Sequence, residues 1–137
     1  MPKGFKYSLE LQTRYADFDM MEHLNNATYV TYFELVRVKY FEEVLNWDFD
    51  KLWNVVAKID IDYKIPLLPK DKPKIFIRCS YVGNKSFILT YLLVDSNDET
   101  KVYSNATSVQ VCIEPGDGTT TQIPPEIKRK IEEYEEL

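Results

Sequence analysis

Histidine and cysteine are nearly missing from this 137-residue chain, which holds one of the first and two of the second. His23, Cys79 and Cys112 lie far apart and cannot build a tetrahedral zinc site without carboxylate help. No metal-ligand spacing occurs either, so no metal is expected. The two thiols sit in apolar stretches, where reduced core cysteines are expected rather than a disulfide. None of the 4 glycines belongs to a Gly-x-Ser-x-Gly elbow, which disfavours a Ser-His-Asp hydrolase of that kind. Positive charge is in deficit: 17 Lys and Arg stand against 22 Asp and Glu, a net charge of −5. Such a balance does not suit a general nucleic-acid binder. Long hydrophobic runs are absent, the longest being four or five residues, against the ~20 that span a bilayer. Met1-Pro2-Lys3-Gly4 leads straight into a mixed polar segment with no signal-peptide pattern. These absences predict a soluble, cytoplasmic protein with no membrane span.

What is present is ordinary for a folded domain: 45% hydrophobic and 28% charged residues. The length predicts a single domain over 1–137, large enough to bury a core without disulfides or metals. Strict alternation from Lys6 to Tyr15 predicts a half-buried strand. Asn25 and Asn26 are good helix caps, and no Gly or Pro interrupts the chain from there to about Leu45. A long helix follows, with Tyr29, Val30, Phe33, Val36, Tyr40, Phe41 and Val44 on one apolar face. The remainder reads as strands: Ile59 to Ile65, closed by Pro66; Lys74 to Val82; Ser86 to Val94 after a Gly83-Asn84 turn; and Lys101 to Glu114. Pro124-Pro125 opens a short helix from Glu126 to Glu135. One long helix with mostly hairpin-linked strands predicts an α+β arrangement.

The segment from Arg14 to Tyr29 gathers two carboxylates, the single histidine and two asparagines in an irregular connection entering the long helix. A helix N-terminus offers unpaired N–H groups and partial positive charge, which can stabilise an oxyanion. A carboxylate just upstream could attack a carbonyl or activate water beside it. Loop aspartates also commonly brace turns, so composition leaves both roles open.

This segment, continued through Tyr32, Phe33, Glu34 and Arg37, resembles the hot-dog-fold thioesterases of the 4-hydroxybenzoyl-CoA thioesterase family. The shared pattern is an aromatic-x-Asp-x-Asp run, a loop ending in His-x-Asn-Asn, then Tyr and a Tyr-Phe-Glu-x-x-Arg stretch. Tyr15, Asp17, Asp19, His23, Asn25, Asn26 and Tyr29 supply its first part here. Ile59 to Tyr63 before Pro66, Ser86 after its turn, and the closing helix extend the likeness over nearly the whole chain. The resemblance implies a hot-dog fold, with about five curved antiparallel strands wrapped around the long helix. It implies an acyl-CoA thioesterase acting on an acyl-CoA or acyl-carrier-protein thioester, with no cofactor beyond the substrate's own CoA. It also implies a homo-oligomer, dimer or tetramer, with sites between subunits.

Asp19 takes the catalytic position, as nucleophile or general base, and the backbone N–H near Asn26 that of the oxyanion hole. His23 is a candidate proton donor, its other role being to hold the loop. Asn25, Tyr29, Glu34, Lys85 and Ser86 are candidate substrate-binding residues, whereas Asp17 is expected to brace the turn. Lys64, Arg78 and the Lys128-Arg129-Lys130 cluster are further cations available to phosphates. Glu34 and Arg37 are expected as a charge pair on the apolar side of the helix. Glu22 stands where many relatives have glycine, so the loop would be reshaped or gain a third carboxylate. Hydratases of this fold use an Asp-x-Asn-Pro-x-His run, whereas Asp19-x-x-x-His23 has no Asn-Pro. A non-catalytic thioester-binding module would share every core residue, and only activity separates it.

Overall fold

In chain order the elements are β1 (Tyr7–Glu10), α1 (Asn26–Glu43), β2 (Trp53–Tyr63), β3 (Pro73–Val82), β4 (Ser86–Asp95), β5 (Asp98–Ile113) and α2 (Pro125–Glu135). The apolar alternation resolves into these five antiparallel strands, in the spatial order β1-β3-β4-β5-β2. The structure, a computed structural model, describes residues 2–137. Met1, the first residue of the span expected to form one domain, lies outside the described residues. Bulges interrupt the ladders at Val56/Lys58, at Cys79/Tyr81 and near Val94. Each adds local twist, which bends the sheet around the helix.

Ile75, Ile77 and Cys79 of β3 pair with Leu93, Tyr91 and Leu89 of β4, and this inward row is fully buried. Helix α1 lies against it through Tyr29, Tyr32, Phe33, Val36, Arg37, Tyr40 and Phe41. Phe33 meets the Tyr91 ring at 5.0 Å, and Phe41 meets Phe87 at 6.1 Å. Helix α2 adds Ile127 and Ile131 to the same core. Its buried Glu135 accepts hydrogen bonds from the Tyr40 hydroxyl (2.7 Å) and the Cys79 N–H beside the bulge (2.8 Å). Cys79 and Cys112 are buried free thiols. No helix of the described residues is long and apolar enough to cross a membrane.

Three expectations need correction. The first strand stops at Glu10, which pairs with Lys74 near the start of β3. Beyond it only Leu11 reaches Pro73, and Tyr15 ends up fully exposed. Strand β2 begins at Trp53, well before Ile59, because β5 is long enough to pair with it from Ile113 onward. As an edge strand, β2 shows little burial contrast between its faces. On α1, Val30 is exposed and Arg37 takes its place in the buried stripe. Arg37 can do so because its Nη1 donates to the Tyr91 hydroxyl (3.1 Å), itself 2.7 Å from Ser108 Oγ.

Candidate active site

The chain leaves β1, makes a 3-10 turn at Tyr15–Asp17, and enters α1 through a tight loop. Asp17 holds that passage together. Its buried carboxylate accepts from the Arg14 N–H (2.9 Å), Arg14 Nη2 (3.1 Å) and the Tyr32 hydroxyl (2.7 Å). Burial alone would raise its pKa, but these donors outweigh burial and hold it below the ordinary aspartate value. Its carbonyl takes the Asn25 N–H at 2.9 Å, which fixes where the helix starts.

Asp19 heads the loop itself. Its N–H donates to the His23 carbonyl (2.9 Å), and its carbonyl accepts from the Glu22 N–H (3.0 Å). Its Oδ1 takes the N–H groups of Met21 (2.9 Å) and His23 (3.1 Å). Oδ2 has no donor among the described residues, and Asp19 as a residue is exposed. One carboxylate oxygen is thus fixed and the other left open. Glu22 closes the turn at φ 59°, the left-handed region that glycine enters without strain. The loop therefore keeps a glycine-like turn despite the glutamate.

At the start of α1, Asn25 is the N-cap, and its Oδ1 accepts from the Ala27 N–H at 3.0 Å. The Asn25 carbonyl takes the Thr28 N–H at 2.9 Å. The N–H of Asn26 is left without an acceptor among the described residues. Asp19, His23, Asn26, Tyr29, Tyr63 and Lys64 all line a single cleft of about 320 Å³. The Tyr29 and Tyr63 rings meet edge to face at 4.8 Å, and burial raises the Tyr29 pKa. The exposed Asp19 carboxylate and the first turn of α1, the positive end of that helix, therefore border one space.

Residues 13–131 match the thioesterase-like superfamily. The chain belongs to that superfamily. The thioesterase is 32% identical to the uncharacterized protein YsmA of Bacillus subtilis (strain 168) over 114 residues, 82% of this chain and 78% of that one. Its fold superimposes on a thioesterase from Thermus thermophilus complexed with coenzyme A and Zn. That match has a TM-score of 0.83 and 25% identity, covering 99% of this chain and 98% of that one. A DHNA-CoA thioesterase from Staphylococcus aureus has the same fold, with a TM-score of 0.83 at 17% identity over 95% and 91% of the two chains. The five-stranded sheet around α1 is the hot-dog fold, and the enzyme is a thioester hydrolase.

The other candidate residues scatter. The Asn25 side chain is used as a cap. Glu34 is exposed on the flank of α1, about 12 Å along the helix from Asn26 at 1.5 Å per residue. It forms no charge pair with Arg37, whose guanidinium turns inward to Tyr91. Lys85 and Ser86 belong to the β3–β4 hairpin, where the Lys85 carbonyl accepts from the Cys112 N–H at 3.0 Å. That is the Trp53 end of the sheet, whereas the Asp19 cleft is at the Tyr63 end. At 3.3 Å per residue the two ends of β2 are about 33 Å apart. Among the available cations, Lys64 is the one that reaches the cleft. Tyr63 was not legible as a site residue, since strand alternation alone does not say which strand end meets α1.

Proposed function

We propose that this thioesterase hydrolyses acyl-CoA at Asp19. The thioester carbonyl lies with its oxygen toward the Asn26 N–H and its carbon within reach of Asp19 Oδ2. Oδ2 either adds to that carbon or takes a proton from a water that adds. In both routes the C–S bond breaks and CoA leaves as a thiolate that takes up a proton; the first route leaves an acyl anhydride on Asp19 that a water hydrolyses to the free acid, and the second gives the free acid directly. The N-terminal partial charge of α1 favours the oxyanion over the neutral carbonyl, and one such donor is commonly worth ~3 kcal/mol. Every step uses protein groups and water, with no cofactor. His23 shares the cleft and makes no hydrogen bond through its ring to a described residue, which leaves it available to protonate the leaving thiolate. The observation that carries this reading is the open Asp19 Oδ2 and the unaccepted Asn26 N–H on one cleft.

The working form, in this reading, is a homodimer or a tetramer built from it. β2 is an unpaired edge of 11 residues with Trp53, Val55, Val56 and Tyr63 exposed, the kind of edge that pairs with another chain. Antiparallel pairing about a two-fold axis would set the partner's Trp53 end beside this chain's Tyr63 end. It would bring the partner's hairpin with Lys85 and Ser86 toward the Asp19 cleft, where a single chain cannot place them. Buried reduced thiols at Cys79 and Cys112 support a cytoplasmic site of action.

The test is thiol release from short, long and aromatic acyl-CoAs by wild type and Asp19→Asn. Asparagine keeps the Oδ1 acceptor and removes the reactive oxygen. A loss of about 100-fold or more, roughly 2.7 kcal/mol of barrier, is expected. Equal activity would remove Asp19 from the mechanism, and no cleavage by a dimeric wild type would favour a binding module.

A further inference from the structure

Arg37 is a charge buried without a counter-charge. The residue is only 8% exposed, and its Nη1 donates to the Tyr91 hydroxyl, which in turn meets Ser108 Oγ. No carboxylate reaches the guanidinium among the described residues. A buried ion is costly unless an opposite charge accompanies it, and neutral hydroxyls are a poor substitute. Glu34 presents the reverse case. It is exposed, one turn earlier on the same helix, and makes no hydrogen bond or ion pair among the described residues. Within one chain the two charges do not meet.

Their surroundings show where they can. Ala27, Val30, Glu34, Arg37 and Phe41 follow one another at alternating steps of three and four, the spacing of a seam along which helix packs on helix. Val30 on the seam and Val38 beside it are each 39% exposed, so the chain itself leaves this seam partly open. It lies on the β2 side of α1. Arg37 points to Tyr91 of β4 and Ser108 of β5, whereas Glu43, on the other flank, accepts from the Tyr7 hydroxyl of β1. Ser108 pairs with Ile59, next to Lys58 at the midpoint of β2. A two-fold axis joining two β2 edges symmetrically would therefore pass at the level of Arg37 as well.

We propose that a second copy of this chain packs its α1 antiparallel on this seam, with Glu34 of each copy paired to Arg37 of the other. An axis between Glu34 and Arg37 makes both pairs at once and sets Val30 opposite the partner's Phe41. The charges are self-complementary, as a two-fold contact requires, and they fix the register of the two helices. The placement rests on the dimer reading above and adds the helix contact to it. It does not depend on hydrolysis.

The experiment measures the dimer Kd by sedimentation equilibrium for wild type and variants. Glu34 is exposed, so neither Glu34→Gln nor Glu34→Lys threatens the fold of one chain. Glu34→Gln is expected to raise Kd by at least about 30-fold, because each dimer loses the partner of two buried cations. Glu34→Lys should raise it further, and Glu42→Gln, off the seam, should leave it unchanged. Arg37→Met removes the charge and keeps most of the packing. In that background Glu34→Gln should change Kd by less than about three-fold, the signature of a coupled pair. An unchanged Kd in both Glu34 variants overturns the proposal, as does an equal Glu34→Gln effect with and without Arg37→Met, or a monomeric wild type. If Arg37→Met does not fold, Glu34→Lys decides alone. A dimer broken by Val55→Lys but not by Glu34→Lys would keep the β2 pairing and reject the helix pairing.

Discussion

Two aspartates two positions apart should fail in opposite ways, and Asp17→Asn is the sharper test. Asp17 accepts Arg14 N–H and the Tyr32 hydroxyl on Oδ2, and the Arg14 guanidinium on Oδ1. Asparagine offers only one acceptor oxygen. Whichever way its amide turns, an NH₂ group faces donors, and if it replaces Oδ2 the buried Tyr32 hydroxyl loses its partner. A hydrogen bond to a charged group contributes about 1.5–3 kcal/mol, and an unsatisfied buried donor costs about 1–3 kcal/mol. The expected destabilisation is about 3 kcal/mol, or roughly 10 °C in Tm for a chain of this size. Denaturation followed by circular dichroism at pH 7 measures it. The pH dependence has a definite sign. The folded pKa of Asp17 is lowered, so its contribution is complete above the unfolded value, about 3.9, and is lost as pH falls through the folded value. Wild type should therefore lose its advantage over Asp17→Asn below about pH 4. A variant with unchanged Tm but abolished turnover would refute the reasoning and place Asp17 on the substrate.

Other outcomes follow from the same geometry. Asn25→Ala should cost about 1 kcal/mol, read by urea denaturation, because the Ala27 N–H loses its cap. Glu22→Gly should leave stability unchanged or raise it by up to about 0.5 kcal/mol, since relief of the left-handed φ offsets the added unfolded-state entropy. Burial pushes the Cys79 and Cys112 thiols up to about 12 and 11, so a disulfide reagent at pH 8 should label neither until the protein is unfolded. If β2 pairs as proposed, Val55→Lys on that exposed edge should shift sedimentation toward the monomer and reduce turnover with it.

Much of the fold was legible because its elements carry local signatures. The run without Gly or Pro from Asn26 fixed α1, and alternation with Gly83-Asn84 placed β3 and β4 close to where they stand. Misreadings fell where locality ends. Lys6 to Tyr15 alternates throughout, yet only the part opposite β3 is paired, and strand length is set by the neighbour. Trp53 to Lys58 has weak alternation and is still a strand, because β5 extends far enough to hold it.

The site divides in the same way. Sequence alone determined that Asp17, Asp19, His23, Asn25 and Asn26 share one short loop, since chain connectivity keeps them near each other in any fold. Backbone and side-chain geometry then separated the two aspartates, enclosing one in donors and leaving an oxygen of the other open. Tertiary structure alone decided which distant residues join them. Tyr63 and Lys64 reach the cleft because β2 ends beside the start of α1, while Lys85 and Ser86 finish at the opposite end of the sheet. Contacts across the sheet depend on strand order and register, and those are settled by packing the whole core at once rather than by any local run of residues.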